Sequence, residues 1–314
     1  MKRYFDFTLK GAELFPLWIL YWLFVLVPRH GLPLYKRFFI NDQNDPLVIA
    51  LVTVGALLLI LSAMVILYYY INRIYIQHAQ YDNHPLQFNG TFSSYLEAVI
   101  PGIILTMITF TLYLPWLIRD YIRYFVDNSS LKSKNLKFLG KGNVLFAIYL
   151  FVVVPVLVAG YMLSVWKNIP LDQAVLHWIP QVVQYVFMIP VLYLFYKWLI
   201  NVEYRGFRIR SVSRFWPSLW KIMVELFFSV LTLGIYIPMM CIQLYIYFAV
   251  RTVAENKQAE RYVGFDKDPL NDYLLIWGQI LLSVLTLGIY VPWAIAKVGK
   301  VFLSRTYLSV SEEV

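Results

Sequence analysis

The sequence predicts an all-α transmembrane protein, a polytopic helical bundle of degenerate helical-hairpin repeats with about ten apolar segments. Three observations lead there. The 314 residues are 60% hydrophobic and only 14% charged, well below the charge of ordinary soluble domains. Apolar runs long enough to cross a bilayer as helix recur along the chain. And one decapeptide occurs twice: "SVLTLGIYIP" from Ser229 and "SVLTLGIYVP" from Ser283, alike at nine of ten positions.

The apolar segments fall at 14–28, 47–71, 95–113, 115–126, 144–165, 178–200, 217–235, 237–253, 272–289 and 291–308. The 25 Tyr and 10 Trp fit a membrane setting, since both favour the headgroup interface. The net charge of +9 is read as membrane orientation rather than nucleic-acid binding, because no loop is long enough for a binding domain. The predicted partner is the lipid bilayer, with no nucleic acid; a protein partner is not specified. A lone cysteine, Cys241, excludes an internal disulfide and any multi-cysteine metal site.

Short polar-alternating stretches precede several runs: Tyr4–Gly11, Leu86–Gly90, Leu136–Gly142 and Tyr204–Ile209. Each reads as an extended or turn entry. Within a single membrane domain, 1–314, they suggest repeat units at 4–78, 86–135, 136–204, 205–257 and 268–309. A third, weaker copy of the decapeptide keeps Thr109, Tyr113, Pro115 and Trp116.

Gly234 and Gly288 permit backbone angles that other residues adopt at a cost. Pro238 and Pro292 lack an N–H and cannot continue a preceding helix. Gly-Ile-Tyr-x-Pro can therefore end one helix and start another, with Tyr236 and Tyr290 at the membrane interface. The rival geometry is a single kinked helix. Loop charge separates the two. A hairpin at each copy places fifteen basic residues on the side of the N-terminus and four opposite, which the positive-inside bias favours. Both termini are then predicted cytoplasmic.

The run "LTLGIYVPWAIAKV", Leu285 to Val298, resembles the hallmark of the YjgN-type family of bacterial inner-membrane proteins, a domain of unknown function. Thr286, Leu287, Gly288, Ile289, Tyr290, Pro292, Trp293, Ala294 and Lys297 carry the likeness. The preceding copy loses the Trp and the Lys. The resemblance implies the inner (cytoplasmic) membrane and supplies no activity.

Seven positions after each Tyr stands a polar residue: Asp120, Gln243 and Lys297. With Arg123, Lys300 and Glu225 they form a candidate polar pathway, since ionisable groups inside a membrane mark functional sites by default. The alternatives are local ion pairs, or side chains reaching to the headgroups. Lys221 and Glu225 stand at i,i+4, on one helix face. The four histidines form no metal-binding motif, and no nucleophile elbow, Walker loop or dinucleotide fingerprint occurs. No catalytic residue, metal or cofactor is implied. The mixed-charge stretch from Ala254 to Asp272 reads as a solvated connector. The functional expectation is a transporter or channel-like protein for a small polar solute or ion. The alternative is a non-catalytic membrane scaffold or lipid-organising protein.

Overall fold

A computed structural model describes residues 2–31, 46–165, 187–256 and 259–309. The start of the predicted segment 178–200, and the loop residues Lys36, Arg37, Lys167 and Lys257, lie outside the described residues.

The all-α expectation is corrected by an eleven-stranded antiparallel sheet. In chain order the elements are β1 (Lys2–Phe7), α1 (Gly11–Gly31), α2 (Pro46–His78), β2 (Ala79–Tyr81), β3 (His84–Pro85), β4 (Gln87–Phe88), α3 (Phe92–Ile108) and α4 (Leu114–Asp127). They continue as β5 (Ser129–Leu131), β6 (Lys134–Phe138), α5 (Gly142–Val165), α6 (Phe187–Leu199), β7 (Val202–Tyr204) and β8 (Phe207–Ser211). The last are α7 (Phe215–Leu231), α8 (Ile237–Ala249), β9 (Thr252–Glu255), β10 (Glu260–Phe265), α9 (Pro269–Leu285), α10 (Val291–Ser304) and β11 (Thr306–Ser309). The hydrogen-bonded order is β3-β2-β1-β11-β10-β9-β8-β7-β6-β5-β4. Its two end strands, β3 and β4, are separated in the chain by Leu86 alone.

The expectation that the ten apolar segments build a transmembrane bundle is corrected as well. Among the described residues, three helices are long and apolar enough to cross a membrane: Gly11–Gly31, Leu47–His78 and Gly142–Ala159. The remaining apolar helices have 17 residues or fewer.

The stretches read as extended or turn entries hold strands: most of β1 in Tyr4–Gly11, β4 in Leu86–Gly90, the end of β6 in Leu136–Gly142, and the end of β7 and start of β8 in Tyr204–Ile209. The other strands escape a sequence reading because they are short and carry no apolar run. Their links are informative. Asp82–Asn83, Lys132–Ser133 and Arg205–Gly206 each join two strands with both residues at positive φ, the two-residue turn that matches strand twist. The Lys132–Ser133 and Arg205–Gly206 hairpins connect the strand leaving one helix pair to the strand entering the next, while after Asp82–Asn83 the chain passes through β3 before β4 enters the next pair. The stretch Ala254–Asp272, expected to be a solvated connector, supplies part of β9, all of β10 and the start of α9.

The chain forms two compact units. The first comprises residues 1–4, 89–274 and 305–314. In it β11 pairs with β10 and with Lys2–Tyr4 of β1, and β8 pairs with both β7 and β9. Phe138, Leu145, Ile148 and Trp198 form a buried cluster between β6, α5 and α6. The second unit comprises 5–88 and 275–304. There Phe5–Phe7 pairs with β2, and Phe7, Leu9 and Ala296 pack together. Glu13 closes the start of α1 by accepting the Lys10 N–H at 3.0 Å, which satisfies a donor the first helical turn leaves open.

One positional rule runs through both units. The last residue of each strand that enters a helix pair is buried: Phe7, Phe88, Phe138, Ser211 and Phe265. The residue seven further on is buried too: Leu14, Tyr95, Leu145, Ser218 and Asp272. The second set shares a position and no chemistry, so residue-by-residue comparison does not find it.

Candidate functional site

Three tight helix–helix turns are the most distinctive local geometry among the described residues. Helices stop at Ile108, Leu231 and Leu285 and restart at Leu114, Ile237 and Val291. The five residues between carry the Thr and Tyr of the repeated element. In the second and third turns a leucine and a glycine take positive φ in succession: Leu233 at 51° and Gly234 at 90°, Leu287 at 50° and Gly288 at 88°. The first turn uses Phe110 at 47° and Thr111 at 73°. Glycine suits the second of these positions because it carries no Cβ to clash.

Every backbone N–H across these turns has an acceptor. Around the second turn, Leu233 N–H donates to the Val230 carbonyl at 3.0 Å and Gly234 N–H to that of Ser229 at 2.8 Å. This pair of bonds closes the helix end. Ile235 N–H then donates to Thr232 O at 3.1 Å and Ile237 N–H to Gly234 O at 3.0 Å. The remaining donor, Tyr236 N–H, is taken by the Thr232 hydroxyl oxygen at 3.0 Å. The following proline has no N–H to satisfy. Thr109 and Thr286 accept from Tyr113 and Tyr290 at the same 3.0 Å. An aromatic residue on another helix anchors each turn. Tyr149 meets the Thr111 hydroxyl at 3.0 Å, Tyr273 donates to Ile235 O at 3.2 Å, and Trp18 Nε1 donates to Gly288 O at 2.9 Å.

The turns' outer side chains are apolar and bare. Phe110 is 89% exposed, Leu233 94% and Leu287 80%. Val230, Leu231, Ile235, Val284, Leu285 and Ile289 beside them are exposed too. Exposed apolar surface of this extent marks contact with lipid or protein.

Gly234, Tyr236, Pro238, Gly288, Tyr290 and Pro292 thus lie in or beside the turns. The two tyrosines point back to polar groups in their own helix pair. Tyr290 donates to Gln279 Oε1 at 3.1 Å and accepts from Lys297 Nζ at 2.8 Å. Tyr236 lies near enough to Glu225 to interact electrostatically. Glu225 is 3% exposed and receives Lys221 Nζ on Oε1 at 2.6 Å, while its Oε2 meets no hydrogen-bond donor in good geometry among the described residues. Glu225 and Gln279 each stand eleven positions before the Tyr.

Of the other predicted site residues, Asp120 and Arg123 find ion-pair partners nearby. Asp120 pairs with its neighbour Arg119 at 2.5 Å. Arg123 pairs with Asp127 at 3.3 Å, whose other oxygen accepts the Phe138 N–H. Gln243 makes one weak contact, 3.8 Å to the Met239 sulfur, and Lys300 is exposed. Among the described residues no group of three His, Cys, Asp or Glu side chains is placed to hold a metal. Sequence reasoning missed Gln279 and the anchors Trp18, Tyr149 and Tyr273. No signal separates the anchors from the chain's other aromatics.

No curated protein and no solved structure matches the chain significantly. The profile described as "Bacterial protein of unknown function (DUF898)" matches residues 83–256, more than half of the chain. The matched span holds the first two turns and stops before Leu285–Val298, the stretch on which the resemblance read from sequence chiefly rests. The chain belongs to this bacterial family of unknown function, DUF898.

Proposed function

We propose that the chain is a non-catalytic inner-membrane protein that organises lipid, with both termini cytoplasmic and the three short hairpins inserted from the strand side. One observation carries this reading: the turns combine bare apolar side chains with fully engaged backbone donors. In water the side chains are unfavourable and the engaged donors confer little. In hydrocarbon both are required, since an unmet backbone group costs several kcal/mol there. The arms of 13 to 17 residues reach about 20–25 Å at ~1.5 Å per residue, short of a hydrocarbon core of about 30 Å. Such hairpins end inside the bilayer and displace lipid mainly from the leaflet they enter. The candidate pathway residues favour the same reading, because each of Asp120, Lys297 and Glu225 has a partner on its own hairpin.

The test is depth at the tips. Cys241 is free and exposed, so it is first replaced by serine. Leu233→Cys and Leu287→Cys then carry an environment-sensitive fluorophore in vesicles. The expected result is quenching by lipids brominated deep in the acyl chain and no reaction with a membrane-impermeant maleimide. Rapid labelling by that maleimide from the aqueous phase overturns the reading.

A second reading, transport of a proton or small cation, rests on Glu225. A buried carboxylate beside Lys221 and Tyr236 inside an apolar hairpin is a default functional position. Under this reading Glu225→Gln abolishes a pH-gradient-dependent flux in vesicles. Equal flux in the variant and the parent removes it.

A further inference from the structure

We infer that the first unit holds a binding site for an anionic phospholipid between α5, α6 and β8. A cavity of about 640 Å³ opens there, within the size range of small-molecule sites. Its two ends differ in chemistry. At the strand end stand Lys141, Lys197, Arg208 and Arg210, and among the described residues no acidic side chain lines the cavity. At the other end Ile148, Phe151 and Leu194 form an apolar wall.

The four cations are unequally free. Arg210 is held by both oxygens of Glu255, at 2.5 and 2.8 Å. Arg208 uses Nε on Asn201 Oδ1 at 3.0 Å, which leaves its terminal nitrogens for a ligand. Lys197 reaches the Ser213 carbonyl only at 3.4 Å. The Lys141 ammonium makes no hydrogen bond or ion pair among the described residues, while its carbonyl accepts Trp198 Nε1 at 3.0 Å. That bond fixes the loop carrying Lys141 to the wall of the cavity. Lys141 and Lys197 therefore face this space without an acidic partner among the described residues, while Arg208 stands beside them and shares the field of Glu255 with Arg210.

Charge complementarity calls for an anion, and the wall calls for a chain attached to it. Ile148 follows Lys141 by seven residues, a rise of about 10 Å along the helix. A phosphate at the lysine thus reaches the apolar wall with its glycerol and first methylenes. α5 is one of the helices long and apolar enough to span a bilayer, which puts the wall at acyl-chain depth and the cations at headgroup level. The inference needs a bilayer around α5, a premise it shares with the preceding reading, but it does not need the hairpin tips to insert.

The experiment is native mass spectrometry of the full chain in neutral detergent, titrated with phosphatidylglycerol or phosphatidylcholine of equal chain length. Phosphatidylglycerol is expected to be retained about tenfold more strongly, with the preference falling as salt rises. Lys141→Gln with Arg208→Gln is expected to remove that preference. Lys134→Gln with Lys267→Gln, an equal charge change elsewhere, is expected to leave it intact. Equal retention of the two lipids, or equal loss in both double variants, overturns the site. Displacement by glycerol phosphate at concentrations equal to the lipid's also overturns it, because a soluble phosphate would then be the ligand and the wall unused. Tip depth is read separately by fluorescence, so failure of one reading is not failure of the other.

Discussion

The α7/α8 and α9/α10 hairpins share nine of the ten residues of the decapeptide, yet the chemistry packed under each turn differs. In α7/α8 the tyrosine faces a buried carboxylate, Glu225, neutralised by Lys221 one helical turn earlier on the same arm. In α9/α10 the tyrosine bridges an amide, Gln279, and a lysine on the opposite arm, Lys297. The turn is thus a fixed device for reversing the chain and aiming a hydroxyl inward. The residues eleven before and seven after the tyrosine differ between the two hairpins: Glu225 and Gln243 in one, Gln279 and Lys297 in the other. The duplicated decapeptide draws attention to the turn, whereas the distinguishing groups lie outside it.

The sharpest way to test this contrast is to remove one lysine from each hairpin. Lys221→Met leaves a carboxylate that is 3% exposed without its cation, which costs about 3–5 kcal/mol. Lys297→Met removes an exposed hydrogen bond to a tyrosine and costs about 1 kcal/mol or less. Unfolding in detergent should show a large loss for the first and a small one for the second. Comparable losses would mean that the two hairpins are energetically alike and the contrast is only one of composition.

The turns themselves should respond equally. Thr232→Val and Thr286→Val keep the shape and remove the oxygen that accepts the tyrosine N–H at 3.0 Å. Each leaves one backbone donor unmet, for about 1–3 kcal/mol. Gly234→Ala and Gly288→Ala place a Cβ at φ near 90°, which costs about 1–2 kcal/mol. A Cβ at Gly234 also comes within 3.4 Å of Ile237, while at Gly288 nothing lies closer than 3.9 Å. The expected result is a matched pair of losses, marginally greater at Gly234, measured as shifts in the unfolding midpoint. A loss confined to one hairpin would show that the turn is not the shared device.

What the sequence exposed and what it hid divide along the same line. Gly and Pro act on the backbone at their own positions, so breaks such as Leu231–Ile237 are visible locally. The sheet depends on pairings such as Lys2 with Ser309, which no local window contains. Strands of three residues, such as Ser129–Leu131, are too short to show alternation. Asp82, Asn83 and Gly206 are the signals available in the sequence, since Asp, Asn and Gly tolerate the positive φ that the strand-reversing turn needs. The polar positions Asp120, Gln243 and Lys297 were found by counting from the tyrosine. Their partners were not, because Arg119 and Tyr290 are assigned by side-chain direction rather than spacing.

The smallest expected effect comes from the sheet, which serves as the control for the buried hairpin pair. Lys2 Nζ meets Asp266 Oδ1 at 2.8 Å, and the Tyr4 hydroxyl donates to Oδ2 at 2.8 Å. The Lys2 bond, and then the Tyr4 bond, hold the Asp266 carboxyl below its ordinary value of 3.8. The bond to Asp266 raises Lys2 above 10.5. A depressed carboxyl stabilises above its unfolded value, and that gain is lost as pH falls through the folded one. A raised lysine stabilises below its unfolded value and loses the gain as pH rises through the folded one. The bridge therefore acts across the neutral range and fades at both extremes, weakly, because both partners are exposed and screened by salt. Asp266→Asn should flatten the acid limb of stability by a small, salt-sensitive amount. A salt-insensitive loss as large as that of Lys221→Met would mean that exposure does not separate the sheet pair from the hairpin pair.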